Sequence, residues 1–195
     1  MLEVFFYFLL CYFVGMLSFF NIAYYYLSLM KKNSLKKHSS KLFSLILNLG
    51  IELTFLIFIL EIIKGVLIIW LGSILVKANT LLQVSMIFTA MGYIFTKNKN
   101  LTSITSGLIG QMLVLIPCFI QIYLACCLSG FLLIKNKDKF KLFNLAVLPA
   151  SAAVVSTDIK LLLINLIAVL IILYFKSFRS KVEDNDVIIY HNFSS

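Results

Sequence analysis

The sequence predicts an all-helical, polytopic membrane protein, and three observations carry that expectation. Hydrophobic residues make up 62% of the 195 positions, and the mean hydropathy is +1.03, well above the apolar share of a soluble domain. Only 13% of residues are charged, and uncharged stretches of 25 or more residues recur, as in 4–30 and 101–134. Each is long enough to cross a hydrocarbon layer of roughly 30 Å as a helix. Whole segments stay apolar instead of alternating, which argues against a transmembrane barrel. Helices then have to satisfy the backbone internally.

The first thirty residues read as a retained span and not as a cleavable signal. Glu3 stands where a basic start would be, the apolar stretch is too long, and Lys31 and Lys32 follow it directly. Further along, the basic residues mark the loops. Of 17 Lys and Arg, fourteen fall in four clusters: 31–41, 97–99, 135–141 and 176–181. Short lysine-rich loops stay on the cytoplasmic side, so all four clusters should share that face and the spans between them should come in even numbers. Leu42 to Phe95 is then a hairpin of two helices with a polar notch at Lys77–Asn79. Thr102 to Ile134 is expected to hold two short or tilted helices meeting near Pro117, whose ring removes a helix hydrogen bond. Leu142 to Phe175 is expected to behave likewise, with Pro149 early and the turn Ser156-Thr157-Asp158 dividing it.

The count is about seven helical segments over residues 1–182, with the N-terminus outside and the C-terminus cytoplasmic. A short, loose polar tail, 183–195, follows. Five long spans are the alternative, and they would place the 135–141 cluster outside. Cys11, Cys118, Cys126 and Cys127 lie in apolar runs without metal-ligand spacing and read as small core residues. The aromatics, 14% of the chain, read as interfacial belts.

Two groups of residues carry chemistry. Glu61 and Lys64 are three residues apart, on one helix face, and close enough to pair. A charge inside a membrane is a functional candidate by default, although such a pair also serves to orient two helices. Glu52 could face the same cavity or the inner headgroups. The second group is the loop Lys36-Lys37-His38-Ser39-Ser40-Lys41, where a histidine beside two hydroxyls could act as base and nucleophile. A solvated basic loop would look the same.

Tyr12-Phe13-Val14-Gly15, Leu49-Gly50, Glu61-Ile62-Ile63-Lys64-Gly65, Gly92-Tyr93-Ile94-Phe95 and Leu148-Pro149 resemble anchors of the bacterial acyl-phosphate:glycerol-3-phosphate acyltransferases (PlsY type). The match is ungapped from Gly15 to Gly65 and covers roughly residues 12–179. The resemblance implies seven helices, an outside N-terminus and cytoplasmic catalytic loops. It lays Lys36–Ser44 over the family's Gly-Ser-Asn-rich loop, with Lys37 at the serine position. Its phosphate-cradling glycine motif is met by Gly92–Gly107, where Tyr93 replaces the family's histidine and Thr96 its proline, with Lys97 and Lys99 nearby but off the motif's spacing. Its third motif is met by Lys141-Leu142-Phe143-Asn144, without hydroxyls.

On this resemblance the expected catalytic residues are His38, Ser39 and Ser40. Lys36, Lys37, Lys41, Lys97 and Lys99 would bind phosphate, with Glu61 and Lys64 as a structural pair. The implied activity is transfer of an acyl chain from acyl phosphate to glycerol 3-phosphate in phospholipid synthesis, in a bacterial plasma membrane. No cofactor or metal is expected. Membrane lipids are the expected partners. The eroded motifs also fit an inactive relative that binds lipid or a protein partner. Nucleic acid is not expected, because loop topology accounts for the charge of +9.

Overall fold

The computed structural model describes residues 1–30, 46, 48–76, 78–95 and 101–192. All the regular structure among them is helical: α1 Leu2–Met16, α2 Phe19–Met30, α3 Ile51–Leu75, α4 Asn79–Ile94, α5 Leu101–Leu115, α6 Phe119–Leu133, α7 Lys137–Val155 and α8 Ile159–Asn192. The all-helical expectation therefore holds. The breaks at Pro117 and at Ser156–Asp158 fall where the sequence placed them, so α5 and α6, and α7 and α8, are separate helices.

Two features differ from the expectation. The first span is not one rod: only Leu17 and Ser18 separate α1 from α2. Leu17 adopts extended backbone (φ −73°, ψ 127°), and its N–H closes the last turn of α1 on the Phe13 and Val14 carbonyls. Ser18 then starts α2, its hydroxyl oxygen accepting the Asn21 N–H at 3.3 Å, as a helix N-cap does. Counted as one kinked rod, α1 and α2 bring the total to seven. The second difference is the tail, which α8 carries as helix to Asn192. No glycine or proline interrupts 159–192, so nothing local stops it.

Helix packing rests on small residues at the crossings. A Cβ on Gly65 would run into the Gly107 carbonyl oxygen, and one on Gly110 into that of Ile62, so the backbones of α3 and α5 touch. The α1–α4 crossing is built alike, with Gly15 against the Thr89 carbonyl and Gly92 against that of Tyr12. Helix pairs without a strong hydrophobic drive associate this way, through close backbone contact. The main core joins α4 to α8 around Met86, Leu108, Met112, Phe119, Leu148 and Ala168. A second cluster, Tyr7, Cys11, Ile68, Ile69 and Leu82, joins α1, α3 and α4.

The distribution of polarity is the reverse of a water-soluble bundle. Ser85, Thr89, Ser103, Ser106, Gln111, Ser151 and Asn165 are buried, whereas Phe5, Phe13, Phe55, Leu67, Trp70, Phe131, Leu163 and Leu170 face outward. Two helical stretches among the described residues, Leu2–Leu27 and Ile51–Leu75, have the length and composition to cross a membrane. The apolar helices Thr102–Leu115, Phe119–Leu133 and Ile159–Phe175 are shorter.

Candidate functional site

Near the lysine-bearing end of the bundle, α3 carries Glu61 and Lys64 into the gap between α1 and α2. Glu61 is fully buried and Lys64 is 8% exposed, and their charged atoms lie 2.5 Å apart. The expected i, i+3 pairing is therefore present. What the spacing did not reveal is the rest of the arrangement. Oε1 of Glu61 accepts the backbone N–H of Phe19 at 2.8 Å and the hydroxyl of Ser103 at 2.6 Å. Nζ of Lys64 donates to the Leu17 carbonyl at 2.6 Å and sits 5.9 Å from the Phe19 ring centroid.

Interrupting a helix strands a carbonyl on one side and an N–H on the other. Here the ammonium takes the carbonyl at the end of α1 and the carboxylate takes the N–H at the start of α2. Each charge also matches the helix dipole it meets. A buried ion pair is tolerable when further hydrogen bonds satisfy both partners, and the break supplies those bonds. The arrangement is a splint for a broken helix. The Tyr93 ring is buried within electrostatic reach of Glu61. Glu52 is exposed in the first turn of α3, away from this site.

Beside the splint, α3, α5, α6 and α7 enclose a cleft of about 220 Å³. Phe58, Ile109 and Leu124 form apolar walls, while Thr102, Thr105, Tyr123, Lys141 and Asn144 supply polar groups. Oδ1 of Asn144 is buried without a hydrogen-bond partner. Lys141 and Asn144, one turn apart on α7, both line this cavity. Among the described residues no three His, Cys, Asp or Glu side chains gather as a metal site.

His38, Ser39, Ser40, Lys36, Lys37 and Lys41, together with Lys97 and Lys99, lie outside the described residues. Of the cysteines, only Cys11 is in the core. Cys118 is exposed beside the Pro117 turn, and Cys126 and Cys127 are half-buried, with Cys127 on the cleft wall. The core assignment is corrected for Cys118, which the turn leaves exposed, whereas Cys126 and Cys127 pack against the edge of the main core.

No family model, curated protein or solved structure matches this chain.

Ser103, Thr105 and Tyr123 are residues of the candidate functional site that no charge or family anchor marks in the sequence. A signal existed in Thr102-Ser103-Ile104-Thr105-Ser106, a run of hydroxyls at the start of an otherwise apolar helix, where side chains must find partners inside the bundle.

Proposed function

We propose that this is a multi-pass membrane protein whose lysine-rich end handles a phosphorylated acyl lipid, as the resemblance to the acyl-phosphate:glycerol-3-phosphate acyltransferases implies. The observation that carries the proposal is the cleft between α3, α5, α6 and α7, apolar on its walls and polar at Lys141 and Asn144. An acyl chain fits the first kind of surface and a phosphate or glycerol headgroup the second. The apolar exterior around a polar interior supports the membrane setting. In it, the helices run antiparallel from an outside N-terminus to a cytoplasmic C-terminus. A helix of 15 residues spans about 22 Å, so α5 and α6 cross a thinned or locally wet part of the layer.

In the catalytic reading, Ser39 or Ser40 positions the glycerol 3-phosphate hydroxyl, His38 takes that hydroxyl's proton as its oxygen attacks the acyl carbonyl, and phosphate leaves, its charge neutralised by lysines 36, 37, 41, 97 and 99. A second reading, that of a non-catalytic lipid-binding or partner-binding relative, is favoured by the Glu61–Lys64 splint. That pair is bonded to backbone and to Ser103, which is a scaffold role and not a chemical one. Membranes from cells expressing the protein, given acyl phosphate and glycerol 3-phosphate, decide between them. Transfer that falls at least tenfold when His38, Ser39 and Ser40 are all replaced by alanine supports catalysis at that loop. Undiminished transfer removes the loop from the chemistry. Retention of acyl phosphate without transfer, lost in the Lys141→Ala/Asn144→Ala variant, supports the binding relative.

A further inference from the structure

At the other end of the bundle, the connections after α3, α5 and α7 converge on a second and larger cavity, about 400 Å³. Ile69, Leu82 and Leu161 give it apolar walls, and Ser73, Asn79, Gln83, Ser156 and Asp158 line its polar side. Gln83 is 6% exposed, and its Nε2 donates to Oδ2 of Asp158 at 2.8 Å. That bond fixes the amide orientation, because a flipped amide would set oxygen against carboxylate. Oε1 of Gln83 is then buried without a partner, which is a costly state for an amide oxygen.

The other polar side chains of the lining are neutral apart from Asp158: the Asn79 amide, and the Ser156 hydroxyl, whose oxygen accepts the Asp158 N–H at 3.1 Å. The Ser73 hydroxyl gives its proton to the Trp70 carbonyl at 2.7 Å, leaving its lone pairs. The other carboxylate oxygen of Asp158 accepts the Lys160 N–H at 3.0 Å and caps α8. Lys160 itself is exposed on α8 and is not among the lining residues. The pocket therefore offers an orphan acceptor and a carboxylate, the one charged group among its described lining residues, with two hydroxyls and the Asn79 amide beside them. An anion would be repelled there, and a neutral hydroxyl brings a single donor. A protonated amine brings three donors and the matching charge.

We propose that this cavity binds a protonated primary amine on a short carbon stem, of the ethanolamine kind, either free or as a lipid headgroup. The Asp158 carboxylate neutralises it, and Gln83 Oε1 accepts one of its N–H bonds. The cavity is separate from the acyl-lipid cleft, so this inference stands or falls independently of that reading.

The test is thermal unfolding of the full-length protein in detergent with ethanolamine hydrochloride, against sodium chloride at equal ionic strength. Ethanolamine should raise the midpoint progressively with concentration, as a ligand of the folded state does, and sodium chloride should not. Asp158→Asn keeps an N-capping side chain and should shift the response at least tenfold to higher concentration. Gln83→Leu should weaken it in the same direction and serves where Asp158→Asn fails to fold. Equal responses to the two salts, or the same response in the wild type and in a folded variant, overturns the proposal. Vesicles then separate the sources. Free ethanolamine that competes only when phosphatidylethanolamine replaces phosphatidylglycerol assigns the headgroup, and stabilisation indifferent to the lipid assigns the soluble amine.

Discussion

Glu61 and Asp158 are both acids at helix breaks, and they are built for opposite ends. Glu61 is fully buried, with Lys64, Ser103 and the start of α2 around it. Asp158 is exposed at the start of α8, beside a cavity, and its one long-range partner leaves a buried amide oxygen unsatisfied. A carboxylate bonded to everything within reach fixes geometry. One that shares an open pocket with an orphan acceptor has capacity left for a ligand.

The largest effect that can break this contrast is at the splint. Removing one partner of a buried pair leaves an uncompensated charge and costs about 3–5 kcal/mol. Lys64→Met or Glu61→Gln should therefore lower stability strongly in denaturant titrations, and the double variant should recover part of the loss. If Lys64→Met unfolds like the wild type, the pair does not hold the break. The α3–α5 crossing should be next. Gly65→Ala drives a Cβ into the Gly107 carbonyl, overpacking that costs about 1–3 kcal/mol. Gly107 lies on the same crossing, yet a Cβ there meets only the Lys64 Cε at 3.9 Å. Gly107→Ala should be neutral or stabilising by up to about 1 kcal/mol from helix propensity. Equal losses at the two positions would remove the claim that backbone contact sets this crossing.

Smaller still is the stacked pair Phe8–Phe88, with centroids 4.5 Å apart. A double-mutant cycle to leucine should return a coupling of about 0.5–1.5 kcal/mol. The smallest effect is the pH response of Asp158. The Gln83 amide, followed by the N–H groups of the first turn of α8, holds its carboxyl below the usual carboxylate range. With the folded value lowered, the contribution is complete above the unfolded value of about 3.9 and is lost as pH falls through the lowered one. Subtracting the acid unfolding curve of Asp158→Asn from that of the wild type should show a slight difference confined to the acid side, and none near neutrality.

Much of this arrangement was legible in the sequence. Pro117 and Ser156–Asp158 marked real breaks because proline and side-chain caps act locally. Glu61 and Lys64 declared their pairing through i, i+3 spacing. The glycines at 15, 65 and 92 drew notice as anchors of a resemblance, and they turn out to sit where helices touch. The break after α1 was hidden, because residues 4–30 are apolar on both sides of Leu17 and only Ser18 and Asn21 hint at a cap. The partners of Glu61 were equally hidden, each lying 42 residues away in sequence. Gln83 and Asp158 meet across 75 residues, a separation no local pattern encodes.

The splint also has a consequence in time. The groups it satisfies, the Leu17 carbonyl and the Phe19 N–H, are synthesised 47 and 42 residues before their partners. At about 5–20 residues per second, that is an interval of roughly 2–9 s. During it, nothing in the chain made so far supplies the two charges that hold the bend. The shape of the first helical pair is thus decided by the third helix to be made, so the fold cannot be assembled strictly in the order in which it is written.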